Sequence, residues 1–229
     1  MSVEYVSISL PSKCKPYPNV EAGNVKVRPF KGKDEQLIAE MGSGNPKKKI
    51  LEVLRSVVQG IDPIELTVGD VSYIILWEAI NSYTNMYPLS LTCEHCLQEI
   101  NVSVDLNRID SKELSDDYKI EYMVDLPTKK VGLRLLTLGD EIRMMGWVQN
   151  HESAYLYSFA LSMIDELNEY ARVLILEELP TKELAKIRNY HAKFEHGPDY
   201  LAPYTCPNCE EEGKVIVPFR LDELIQSST

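Results

Sequence analysis

Four of the five cysteines fall in two C-x-x-C knuckles, Cys93-Glu94-His95-Cys96 and Cys206-Pro207-Asn208-Cys209. Strand-like sequence flanks each: Pro88-Leu89-Ser90-Leu91-Thr92 and Glu99–Val104 around the first, Tyr204-Thr205 and Gly213–Val217 around the second. Together they supply four thiolates, the ligand set of a tetrahedral structural zinc site. Such a site leaves no position open for a substrate water, so it would staple the fold and perform no catalysis. The gap between knuckles, about 109 residues, exceeds the ~15–20 of an ordinary ribbon, and a helical insertion between two ribbon hairpins accounts for it. Four thiolates also accept iron. The competing reading, two redox dithiols, wants a βαβ setting with the first cysteine at a helix N-terminus, whereas both knuckles here lie between short alternating strands. His95 reads as a solvent-facing turn residue and Cys14 as an ordinary free thiol.

These knuckles need elements to hold them. Val3 to Leu10 alternates as a strand, Pro11 to Gly23 is a long loop, and Val25–Arg28 returns, with Pro29 at its end. Asp34 to Met41 reads as a short helix closed by Gly42-Ser43-Gly44. Asn45-Pro46 opens a second, with Ile50, Val53, Leu54, Val57 and Val58 on one face and Gly60 as its stop. Thr67 caps a third helix, apolar almost all round from Val71 to Tyr83, which predicts the core helix. Beyond the first knuckle, Tyr118–Val124 and Val131–Leu135 read as strands and Thr137 to Trp147 as a helix. His151 to Leu179 holds one or two more. A last helix, Thr181 to His196, is capped by Thr181 and stopped by Gly197-Pro198. The predicted class is α+β: split zinc-ribbon-like β-hairpins with a helical insertion and an N-terminal hairpin-plus-helices region. Its parts are 1–87, a ribbon of 88–104 with 201–220, and an inserted 105–200.

Two internal echoes run through this order. Tyr5, Leu10-Pro11-Ser12-Lys13, Val27-Arg28 and Asp34-Glu35 return as Tyr122, Leu126-Pro127-Thr128-Lys129, Leu133-Arg134 and Asp140-Glu141. Separately, Leu66-Thr67-x-Gly69-Asp70 with Trp77 returns as Leu136-Thr137-x-Gly139-Asp140 with Trp147. Good caps and turns resemble one another, and a diverged duplication gives the same pattern.

Composition narrows the function. Hydrophobic content of 44% and charged content of 26% are those of a globular protein. No apolar run reaches membrane-spanning length, and the N-terminus lacks the basic start and apolar stretch of a signal peptide. Cysteines in metal spacing fit a reducing cytosol. The net charge is −11, from 35 acidic and 24 basic residues, which opposes a phosphate backbone unless a basic patch is segregated. Lys47-Lys48-Lys49 is the best such patch, and Glu210-Glu211-Glu212 follows the second knuckle where nucleic-acid-gripping ribbons are basic. No phosphate-binding glycine loop or nucleophile elbow is present. His151-Glu152 lacks the second histidine of a zincin, position 155 being Tyr155, and His191 and His196 fall on different helix faces. Tyrosine is abundant, 13 against 4 Phe, with Tyr118, Tyr122, Tyr155, Tyr157, Tyr190, Tyr200 and Tyr204 in or beside the insertion. They suit a protein interface or a half-buried core.

One ordered set of residues carries a resemblance: Leu10-Pro11-Ser12-Lys13, Val27-Arg28-Pro29-Phe30 with Asp34-Glu35, Leu66-Thr67-Val68-Gly69-Asp70, Ile80-Asn81-Ser82-Tyr83 and the Cys93-x-x-Cys96 knuckle. It resembles the baseplate hub assembly proteins of T-even-type contractile-tailed phages, over the first half of the chain and the last knuckle. The resemblance implies a non-enzymatic role in the host cytoplasm during assembly, or in the virion tail baseplate. The protein would hold hub or tape-measure proteins, either as an assembly chaperone or as a hub component. One structural zinc on Cys93, Cys96, Cys206 and Cys209 would orient the insertion, whose tyrosine-bearing surface would meet those partners. The alternative is a nucleic-acid-associated zinc-ribbon protein. Nucleic acid and membrane are not expected partners.

Overall fold

The structure, a computed structural model, describes residues 4–39, 45–127, 129–151 and 153–219. It is an α+β chain with seven α-helices among the described residues and several small antiparallel sheets. β1 (Val6–Ser7) pairs with β2 (Lys26–Val27), Val6 opposite Val27. Helix α1 (Gly32–Ala39) follows; Glu40 to Gly44, where the sequence places its end, lie outside the described residues. Helix α2 (Pro46–Val57) starts as expected, the Asn45 side chain accepting from the Lys47 and Lys48 N–H groups. It ends before Gly60, because Val58 turns extended and β3 (Val58–Gln59) joins β2 as a third strand. Gly60 serves that strand's exit at φ +96°, where a Cβ would stand 2.3 Å from the Asn24 carbonyl oxygen.

Helix α3 (Val68–Ser82) is capped by the Thr67 side chain. Its Val71 and Ile74 pack with Val25, Val27, Leu54 and Val57, and its Leu76 and Ala79 with Tyr87, Ile100 and Val104. A helix buried on two sides has no polar face to spare, as its sequence implied. It leads into the hairpin β4 (Met86–Thr92) and β5 (Glu99–Asp105), after which β6 (Ser111–Lys112) lies apart.

The second stretch begins with β7 (Tyr122–Asp125) and β8 (Lys130–Leu133). The strand predicted from Tyr118 starts only at Tyr122; Tyr118 instead leaves the sheet to meet Phe194 edge-on at 5.4 Å. Helix α4 (Leu138–Trp147) carries a capping box between Thr137 and Asp140. Helix α5 (Tyr155–Ser162), β9 (Met163–Ile164) and helix α6 (Glu169–Glu177) follow. Helix α7 (Thr181–Lys193) starts after Pro180, and no side chain caps it, so Thr181 is its first residue and not its cap. The helix stops short of His196. Gly197-Pro198 forms β10, which pairs with β6. β11 (Leu201–Thr205) and β12 (Glu212–Ile216) make the closing hairpin.

The described residues of 5–105 and 122–217 repeat one architecture. Each has a three-stranded antiparallel sheet, β1-β2-β3 or β7-β8-β9, with two helices between its second and third strands. Arg28 and Arg134 each follow the middle strand and each receives the carbonyl where the third strand begins: the Arg28 N–H donates to Val57 O (3.2 Å), the Arg134 N–H to Ser162 O (2.9 Å). Each guanidinium grips the aspartate six residues on. Arg28 Nη1 donates to Asp34 Oδ2 at 2.8 Å and Arg134 Nη1 to Asp140 Oδ2 at 2.6 Å. Each aspartate accepts the N–H three residues before it, Lys31 or Thr137, at 2.8 Å. Helices α3 and α7 then cover the sheets and lead into the knuckled hairpins. Ile74 and Ile187 are both fully buried, and Tyr87 and Tyr200 stand opposite Val104 and Val217.

The first sequence echo therefore has a structural counterpart, with one change. By register Tyr122 corresponds to Val6, not Tyr5, since Val6 faces Val27 and Tyr122 faces Leu133. The second echo is of another kind. Thr67 and Thr137 occupy different places in their halves but face each other as a β-bridge, Val68 N–H donating to Leu136 O (3.2 Å) and Leu138 N–H to Leu66 O (2.9 Å). That exchange joins the halves at the starts of α3 and α4.

Candidate metal centre

Each half contributes one knuckle, built alike. The Cys93 N–H donates to Gln98 O and the Leu97 N–H to Cys93 O, both at 2.9 Å. The Cys206 N–H donates to Glu211 O (2.9 Å) and the Glu210 N–H to Cys206 O (3.0 Å). The turn forces the residue after the second cysteine into the left-handed region, Leu97 at φ 58° and Glu210 at φ 61°, a conformation most side chains resist. Asn208 Nδ2 donates across the gap to Gln98 Oε1 at 3.2 Å. Beneath, Tyr204 packs so closely on Gly213 that a Cβ there would lie 2.6 Å from the ring.

The four sequence-predicted sulfurs meet. Cys93, Cys96, Cys206 and Cys209 place every sulfur within 4.8 Å of every other. Cys93 Sγ lies 3.8 Å from Cys209 Sγ, and Cys96 Sγ lies 3.8 Å from Cys206 Sγ. Disulfide sulfurs would be ~2.0 Å apart, whereas four sulfurs ~2.3 Å from a shared zinc stand about 3.8 Å from one another. The donor set and its spacing thus fit a tetrahedral metal ion. Cys93 and Cys206 are buried, Cys96 and Cys209 half-buried. The Cys93 thiol is drawn down to about 6, chiefly by the Cys96 N–H against the opposing effect of burial, with the His95 N–H adding to it. His95 is exposed and outside the sulfur cluster. Cys14 is buried on its own.

The remaining sequence candidates separate. His151 stacks on Trp147 at 3.9 Å; Glu152 lies outside the described residues. His191 is on α7 and touches Ser162 Oγ through Nε2 at 3.2 Å. His196 lies beyond the helix end, not on another face of it, with Nε2 2.8 Å from Thr67 Oγ1 and Nδ1 3.0 Å from Phe194 O. The lysine patch is neutralised in part, Lys47 pairing with Glu141 at 2.8 Å and Lys49 with Glu52 at 3.3 Å.

Most of the singled-out tyrosines belong to the core. Tyr157, Tyr190 and Tyr204 are buried, and Tyr118, Tyr122 and Tyr200 pack against core clusters. Only Tyr155 of that set is exposed. The exposed apolar surface lies largely elsewhere in the segment, at Met123, Val148, Leu167, Tyr170 and Leu174. On α6 the available signal was spacing, since Tyr170 and Leu174 are exposed four residues apart while Val173 and Leu176 are buried; Leu167 lies in the bend just before the helix.

No curated protein and no solved structure matches the chain, and no helix among the described residues is long and apolar enough to cross a membrane. The family model described as T4 bacteriophage base plate protein matches residues 3–226. With nearly the whole chain covered, the protein belongs to the T4 bacteriophage base plate protein family.

Proposed function

We propose that this baseplate protein is a non-enzymatic builder or component of the baseplate hub, binding hub or tape-measure proteins, with one structural zinc on Cys93, Cys96, Cys206 and Cys209. The family match over almost all of the chain carries the baseplate role. Support for the zinc is the four-sulfur cluster, whose donors hold a metal without leaving a place for substrate. The ribbon, 88–104 with 201–220, is then the joint that fixes the 105–200 segment against the N-terminal region 1–87. Assembly takes place in the host cytoplasm, and the protein either departs as a chaperone or stays in the tail.

Nucleic acid is the weaker partner: two of the three clustered lysines are paired with acids, and exposed Glu210, Glu211 and Glu212 border the second knuckle. The test is a pull-down from infected cells beside a protein census of purified virions. Recovery with hub or tape-measure proteins supports the reading, and virion absence or fixed stoichiometry decides between chaperone and component. Recovery with nucleic acid and no baseplate protein would overturn it.

A further inference from the structure

The repeated architecture identifies what the second half adds. Between β3 and α3 the first half needs only a short turn, Pro63–Glu65. Between β9 and α7 the second half inserts the whole of α6. Val173 and Leu176 anchor it in the core, and the Arg172 guanidinium fastens it to the end of α5 by donating to Ala160 O (3.0 Å) and Met163 O (2.8 Å) and pairing with Asp165 at 2.7 Å. Its outer face is exposed. Tyr170 is 59% exposed and Leu174 47%, one turn apart on the helix, and Leu167 in the bend just before it is 37% exposed, so the three form one exposed apolar stripe. Leu167 and Tyr170 also border an open groove of about 900 Å³ that runs to Trp147 and Arg143.

Charge selects the occupant. The three cations in the groove are already paired: Arg134 with Asp140, Arg143 with Asp140 and Glu169, and Arg172 with Asp165. Exposed Glu166, Glu177 and Glu178 flank the stripe and form no ion pair among the described residues. What remains on offer is apolar at the centre and anionic at both ends, a pattern that repels nucleic acid and anionic lipid.

We propose that α6 is a docking helix for an amphipathic segment of another baseplate protein, one that lays apolar side chains along Leu167, Tyr170 and Leu174 and places Lys or Arg against Glu166, Glu177 and Glu178. An aromatic residue at the centre of a desolvated patch with charges on its rim is the usual energetic anatomy of such a contact. This rests on the baseplate role proposed above.

The test uses the full chain in phage-infected cells. A photo-crosslinking amino acid replaces Tyr170, with the same residue at Val6, exposed in the first half, as the control. The expected result is a crosslink from position 170 alone, mapped to a baseplate protein segment with basic residues around apolar ones. Tyr170→Ala with Leu174→Ala should leave thermal stability unchanged and cut baseplate yield about tenfold or more. Glu177→Lys with Glu178→Lys should weaken the crosslink while the wild-type signal falls with added salt. Crosslinking to lipid, nucleic acid or a second copy of this chain overturns the inference. So does normal assembly by the Tyr170→Ala, Leu174→Ala variant where deletion of the gene abolishes it. Normal assembly after gene deletion would instead overturn the baseplate role itself.

Discussion

The two halves use the same arginine–aspartate clamp in different surroundings. In the first, Arg28 is 3% exposed and Asp34 fully buried, and the carboxylate also takes the Ser56 hydroxyl at 2.5 Å. In the second, Asp140 is just as buried, but Arg134 is 31% exposed and a second arginine, Arg143, shares the carboxylate. Burial pushes both aspartates up, and their arginines with the neighbouring N–H groups outweigh it, holding both below the usual carboxylate range. Geometry is therefore repeated more faithfully than environment. The clamp fixes where the helix leaves the sheet; what covers the clamp is free to differ.

The covering helices make the same point. Glu78 on α3 and His191 on α7 occupy corresponding turns, each facing its own sheet and helices. Burial pushes the Glu78 carboxyl up to about 8, against the Ser82 hydroxyl that donates to it at 3.0 Å, and lowers the His191 imidazole to about 4. An acid and a base in matching places are both kept neutral. The position asks for an uncharged polar group and tolerates either chemistry.

Breaking the joint between the halves should have the largest effect. Cys93→Ser or Cys206→Ser removes one of the four clustered thiols from one half, yet on the proposed zinc site both hairpins should open, because a structural zinc contributes on the order of 10 kcal/mol to such small elements. Limited proteolysis at both hairpins, with metal content measured on the same samples, reads this. Cleavage confined to the mutated hairpin would show the halves to be independent. Next comes the clamp. Asp34→Ala strands a buried guanidinium and should cost about 3–5 kcal/mol, whereas Asp140→Ala leaves arginines that reach water and should cost clearly less; equal losses in urea melts would erase the contrast.

The neutral pair gives opposite pH slopes. Between pH 6.5 and about 4 the unfolded chain binds a proton at His191 that the native chain refuses, so stability falls as pH drops, by up to about 3 kcal/mol. Between pH 4.5 and about 8 the native chain holds a proton on Glu78 that the unfolded chain has released, so stability falls as pH rises. Glu78→Gln should raise the melting temperature at pH 8 and His191→Phe should flatten the acid limb; the reverse pattern would refute both assignments. The smallest change belongs to the half-exposed Lys47–Glu141 pair that bridges α2 and α4. Lys47→Ala should cost less than about 1 kcal/mol in the same melts.

Much of this was legible in residues. Asn45, Thr67 and Thr137 announced helix starts because capping is local chemistry, and the two C-x-x-C knuckles announced that four sulfurs would come together, as they do. Features that depend on distant partners were not. Val58 leaves its helix to complete a sheet with Lys26 and Val27, a pairing no neighbouring residue signals. Gly197-Pro198 looked like a simple stop and is a strand, since its partner Ser111-Lys112 lies far back in the chain. The tyrosines misled for the same reason. Abundance cannot separate a core ring such as Tyr190, packed against Tyr122 and Phe194, from an exposed one such as Tyr170.

The most direct measurement is native mass spectrometry of the full chain, repeated on Cys93→Ser and Cys206→Ser. One zinc per chain, lost completely in either variant, is the expected result. Two metals per chain, or one that survives in a single-cysteine variant, would contradict a site shared between the halves.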